Sequence, residues 1–228
     1  MPEDGRSDID HPTGEGRDWL DRSLALVAAD PGAILAAFPA AARRCGRAAA
    51  DEARAALLLA LPLRGAPLAG QVAVLHRRGD PAEQRAVLLA LPRLDLGDLA
   101  LPLVREALRG NDTTLLEAAV GPYAARHLDP AEFRHAVLKC VFCEIPLAAV
   151  AGLAERADGE LARMLADLAH ERVAAGREVP ADVWPVLAAF PDALAGSGLP
   201  AEAASPSPPR RAAAERALES FRRAAGVS

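Results

Sequence analysis

The sequence has 228 residues, 51% of them hydrophobic but only 4% aromatic, and its 31 acidic residues outweigh 26 Lys and Arg for a net charge of −5. That length supports one good core, and the acidic balance excludes nucleic-acid binding, which needs a basic surface to displace counterions from phosphate. Three cysteines make no disulfide framework and suit a reducing compartment; residues 1–13 carry no apolar signal region, and Pro, Arg or Asp interrupts every apolar run before it could span a bilayer. The expectation is a cytoplasmic protein without a transmembrane segment.

In chain order, residues 1–16 are acidic and turn-rich and read as a disordered tail. A first helix is predicted over Asp18–Ala28, with Trp19, Leu20, Leu24 and Val27 inward. Asp30-Pro31 restarts a helix that carries Ile34, Leu35 and Phe38 and bends at Pro39. Ala48–Leu61 is rich in the best helix formers and stops at Pro62. Leu68–Arg77, Pro81–Leu91, Asp98–Arg109 and Asp112–Val120 follow. Asp80-Pro81-Ala82-Glu83 is a helix start of the kind that recurs at 129–132, where Asp accepts an orphan N–H, Pro at the first position has none to lose, and Glu132 three residues on completes a capping box.

Leu58-Leu59-Ala60-Leu61-Pro62 returns as Leu88-Leu89-Ala90-Leu91-Pro92, and Ala118-Ala119-Val120-Gly121-Pro122 is a faded third copy, so the prolines stand about 30 residues apart. Two helices per period is what a HEAT-like α-solenoid gives, since each hairpin covers its apolar face with its neighbours. An irregular helical bundle that uses Pro as its helix stop gives the same pattern. No stretch alternates β-branched and polar residues, so the fold class is all-α, of stacked antiparallel helical hairpins in either arrangement.

The sharpest helix signals lie in residues 129–179. Asp129-Pro130-Ala131-Glu132 repeats the D-P-A-E start, and Phe133, Ala136, Val137, Cys140 and Val141 follow at helical spacing. Leu138, Phe142 and Ile145 occupy the other side, which predicts a helix buried all round, ending at Ile145-Pro146. After a connecting turn over Leu147–Leu153, Asp158 caps a second helix whose stripe Leu161, Met164, Leu165 and Leu168 faces the core. Gly176 stops it in a left-handed cap. Beyond Phe190 the composition turns to Gly, Ser and Pro, a linker over 193–209, followed by an amphipathic helix over 210–228. That helix, with Leu218 and Phe221 on one side and Arg211, Arg216, Arg222 and Arg223 around it, either folds back on the domain or meets a partner or an anionic membrane surface through 210–225. The domain proper spans 17–192.

Catalytic signatures are absent. Cys140-Val141-Phe142-Cys143 has CxxC spacing but sits mid-helix among apolar residues with only Cys45 besides, so no metal site and no cofactor is expected. His127, His135 and His170 are not spaced as ligands, and no Gly-rich phosphate loop or nucleophile elbow occurs. Lys139 and Glu144 stand in the apolar half of the first helix, where a charge must be paired or reach solvent. With His135, with Glu155 and Arg156 of the turn, and with Arg163, Asp167, His170 and Glu171 of the second helix, they form a candidate polar groove for a small molecule or a partner's chain. The alternative is a set of structural ion pairs.

The runs Gly152-Leu153, Glu155-Arg156-Ala157, Glu160 to Asp167, His170-Glu171-Arg172 and Ala174 to Arg177 resemble the C-terminal signature of the EboA family. Gly79 to Pro92 and Gly121-Pro122-Tyr123 resemble its middle, and the likeness covers roughly Trp19 to Phe190. Phe133-Arg134-His135 stands where a Trp-Asn-Gln-like triplet is expected, and Val173 where Trp is. The resemblance implies a bacterial accessory protein of the ebo gene cluster, associated with moving secondary-metabolite precursors across the cytoplasmic membrane. That cluster's enzymes include a prenyltransferase, and the implied partners are proteins, a membrane-associated biosynthetic enzyme among them. The residues themselves leave two classes open: a non-catalytic interaction protein, and a small enzyme or metabolite-binding protein built on Lys139, Glu155 and Arg156.

Overall fold

The computed structural model describes residues 14–226; the expected acidic tail up to residue 13 lies outside them, as do residues 227 and 228. The described residues form fifteen α-helices and no strand. They divide into two compact units, one ending at Ala119 and the other beginning at Val120. The sequence boundaries at 17 and 192 do not mark this division.

The first unit holds α1 (Gly14–Ala29), α2 (Ile34–Cys45), α3 (Ala50–Leu59), α4 (Gly65–Arg78), α5 (Pro81–Ala90), α6 (Leu101–Arg109) and α7 (Thr113–Ala119). Asp30 opens the 3-10 turn Pro31–Ala33 by accepting from Gly32 N at 2.8 Å, and Asp80 caps α5 by accepting from Glu83 N, also at 2.8 Å. Asp112 does the same for α7 through Thr114 N and Leu115 N. Pro39 lies inside α2 on its exposed side. α3 packs on α5 and α5 on α7, with α4 against α5 and α6 against α7. Pro62, Pro92 and Pro122 each follow the end of one of these odd-numbered helices, which is where the period of 30 arises. Ile34, Phe38, Leu57, Leu58, Val87 and Leu116 are fully buried, each worth about 1.5–3 kcal/mol. Among them Arg54, 3% exposed, donates from Nε to Phe38 O at 3.3 Å, holds its guanidinium 5.6 Å from the Phe38 ring centre, and pairs with Glu83 at 3.5 Å.

The second unit holds α8 (Pro122–His127), α9 (Pro130–Phe142), α10 (Leu153–Arg156), α11 (Gly159–Ala174), α12 (Val183–Ala188), α13 (Pro191–Ala195), α14 (Leu199–Glu202) and α15 (Pro208–Ala225). Its helices gather around α11, which touches α9, α12, α13, α14 and α15. This is a different arrangement from the succession in the first unit; both units are all-α. The capping box of Asp129 and Glu132 forms as expected, Asp158 caps α11 through Leu161 N, and Gly176 closes that helix at φ 69° with Arg177 N on Arg172 O at 2.8 Å.

Three expectations are corrected here. α9 ends at Phe142, because Glu144 adopts φ 59° and Ile145 N turns back to Cys140 O at 2.9 Å; the helix closes before Pro146 can force it to. Nor is α9 buried all round, for Phe142 is 73% exposed. The stretch 193–209 is not an extended linker: Leu194 and Leu199 are buried and bring α13 and α14 against α11. α15 then lies on α12, α14 and α11 through Ala213, Ala214 and Ala217.

Candidate functional site

In the second unit a turn and two short helices enclose a cleft. Its first wall begins at Pro146, which starts the 3-10 turn Leu147–Ala149, and continues through Gly152 at φ 70°, a left-handed residue that lets the chain enter α10 at once. The second wall is α12 and the two residues after it. Asp182 precedes α12 as a helix-capping residue would, but its side chain caps nothing there. Its Oδ2 instead accepts from Leu147 N at 2.6 Å and so joins the two walls.

The cleft has a volume of about 580 Å³, within the range of small-molecule sites. Leu147, Val150 and Val186 are its buried floor, and Pro185, Ala189 and Phe190 line the α12 side. Glu155, exposed on α10, and Asp182 are its only titratable lining residues. Such walls hold an apolar body by area and orient it by hydrogen bonds accepted at the two carboxylates.

Of the nine groove candidates, only Glu155 lines this cleft. Arg156, one residue on, points elsewhere: it donates to Ala124 O at 3.4 Å, Ala125 O at 2.8 Å and Leu128 O at 2.8 Å, and stacks on the Phe133 ring. Those carbonyls end α8, where a guanidinium satisfies orphan acceptors. His135 is exposed and donates from Nδ1 to Ala131 O at 2.8 Å, within its own helix. Lys139 is half-buried on α9 and Glu144 exposed at its end; neither contributes to the cleft. Arg163 bridges Glu160 at 2.7 Å and Asp167 at 2.8 Å on the exposed face of α11, and Glu171 is exposed on the same helix. Hydrogen bonding from Arg163 holds the Glu160 carboxyl below the usual range.

His170 forms a second polar cluster. Its Nε2 donates to Glu202 Oε1 at 3.3 Å, and Arg210 donates to the same oxygen at 2.6 Å, joining α11, α14 and α15. Burial pushes the Glu202 carboxyl up, but the bonds from His170 and Arg210 outweigh it and hold it below its ordinary value.

Of the residues that depart from the family-like pattern, Phe133, Arg134 and Val173 serve the fold, while His135 is exposed. Phe133, 2% exposed, is core beneath Arg156, and Val173 is 1% exposed in α11. Arg134 grips Asp158 with Nε at 3.1 Å and a terminal nitrogen at 2.7 Å, and that hydrogen bond lowers the Asp158 carboxyl's pKa while Asp158 caps α11. Sequence reasoning missed Asp182 and the rest of the α12 wall; an Asp before an apolar Val-Trp pair was the available signal.

A family model described as metabolite traffic protein EboA matches residues 23–188, a span that runs through both units and includes all of α12. No curated protein and no solved structure matches the chain.

Proposed function

The chain belongs to the EboA family, and on that premise we propose that it is a non-catalytic accessory protein of metabolite traffic. In this reading it seats a largely apolar small molecule in the cleft between α10 and α12, and acts in the cytoplasm beside the enzymes of an ebo-type secondary-metabolite system. The supporting observation is the cleft itself: apolar walls and carboxylates at Glu155 and Asp182, with no Ser, Cys, Lys or His among its lining residues. Handing such a molecule on requires a partner, and a membrane-associated biosynthetic enzyme fits that need. The exposed arginines of α15, Arg211, Arg216, Arg222 and Arg223, supply a face for an anionic membrane surface or an acidic partner. No helix among the described residues is long and apolar enough to cross a membrane, so contact of this kind is peripheral.

The test is purification of the tagged full-length chain from its native cells with the membrane fraction solubilised, followed by native mass spectrometry of what it retains. The wild type is expected to carry a small-molecule mass adduct, and Ala189→Trp, which fills the cleft from an exposed position, is expected to lose it. An adduct retained unchanged in Ala189→Trp overturns the assignment of the cleft.

A further inference from the structure

The first unit carries a second concavity, of about 580 Å³, between α1 and α2. Its α2 side is made by Ala33, Ala36, Ala37 and Ala40, which recur at helical spacing and stand low, so the two helices leave a trench between them. Trp19 and Leu26 form the α1 side. Leu26 is 62% exposed, one of the few large hydrophobic side chains left open to solvent. Ser23 lines the same trench at 6% exposure, and its hydroxyl makes no hydrogen bond to another described residue.

Ser23 apart, the trench is apolar up to one end, which is cationic. Arg43 and Arg44 line it from the last turn of α2, both exposed, and neither pairs with another described residue. Arg54, Arg85 and Arg93 of the same unit are by contrast held by Glu83, Asp51 and Glu52. From Ala33 to Arg44 the helix rises about 16 Å, the extent of roughly a dozen methylenes.

We propose that this trench binds a single-chain anionic amphiphile, its hydrocarbon along the alanines between Trp19 and Leu26 and its carboxylate or phosphate head on Arg43 and Arg44. Charge selects the head, since two adjacent guanidiniums that pair with no described residue favour an anion locally over a neutral or cationic end. Shape selects the tail, because a channel between two helices takes one chain where a flat patch takes a membrane. The inference stands apart from the cleft of the second unit, which shares no residue with it.

The experiment is calorimetric titration of the full-length protein with dodecyl phosphate below its micellar concentration, and in parallel with dodecyltrimethylammonium, with inorganic phosphate and with phosphatidylglycerol vesicles. Saturable binding of dodecyl phosphate is expected, with a blue shift of tryptophan emission as Trp19 is covered. The cationic analogue and inorganic phosphate are expected to bind at least about tenfold more weakly. Arg43→Ala with Arg44→Ala, both at exposed positions, is expected to weaken dodecyl phosphate by about tenfold or more. Ala36→Trp, also at an exposed position, is expected to abolish binding while the circular-dichroism melting curve stays in place. The proposal is overturned by equal affinity for the cationic analogue, by vesicle binding without monomer binding, or by loss in Ala189→Trp rather than Ala36→Trp. That last outcome would put the amphiphile in the other cleft.

Discussion

The guanidinium of Arg156 lies 4.2 Å from the centre of the Phe133 ring while it donates to the carbonyls of Ala125 and Leu128. One side chain thereby ties α10 to the end of α8 and covers the aromatic at the head of α9. A lysine keeps the charge but cannot fork to two carbonyls or lie flat on the ring. Arg156→Lys is expected to destabilise the protein by about 2 kcal/mol in urea unfolding, and Phe133→Leu to lower the cost of that second change when the two are combined. Additive losses would show that ring and guanidinium do not act together.

Gly198 sits against the imidazole of His170. A Cβ at that position would fall 2.4 Å from His170 Cε1, so Gly198→Ala must displace the ring from Glu202. The expected loss is about 1–3 kcal/mol, recovered in part by adding His170→Ala, which removes the obstacle. Thermal melting of the single and double variants measures both.

Glu144 is the one non-glycine residue with positive φ among those described. A glycine relieves the steric cost of its left-handed backbone, and the side chain is exposed, so little else is lost. Glu144→Gly is expected to raise stability by about 1 kcal/mol, read as a higher urea midpoint at unchanged slope.

His76 is 3% exposed, and both of its ring nitrogens lack a hydrogen-bond partner. Burial pushes its pKa below 6.5, against the weaker opposing pull of Glu106. The sign follows: above that value the ring is neutral in both states, whereas at lower pH the unfolded chain takes up a proton that the folded chain resists. Stability therefore falls as pH drops below 6.5. His76→Leu is expected to flatten this decline and to add about 1 kcal/mol at neutral pH by removing unsatisfied polar atoms. An unchanged pH profile between wild type and variant would exclude His76 as its source.

What the sequence disclosed was local. Asp80, Asp129 and Asp158 cap helices where their spacing says they do, because a cap is a contact across three residues. Gly176 likewise needs nothing beyond its own turn. Phe142 was misjudged because periodicity tells which way a side chain points and not whether a neighbour covers it. α12 escaped notice because six residues with Pro185 among them carry no period, and 193–209 passed for a linker because its Gly, Ser and Pro obscure two leucines that anchor it. For the candidate site the limit was distance along the chain. Asp182 finds its donor 35 residues away at Leu147, and no spacing rule reaches that far.

That same bond between Asp182 and Leu147 gives the cleft a fixed gauge. A carboxylate from one wall holding a backbone amide of the other resists their separation, so on the proposed reading a guest meets surfaces already spaced for it and less affinity goes into drawing them together. A slot of this kind grades guests by thickness. Along a homologous series, binding is expected to strengthen with length and then stop abruptly at the first branch or ring too wide to enter.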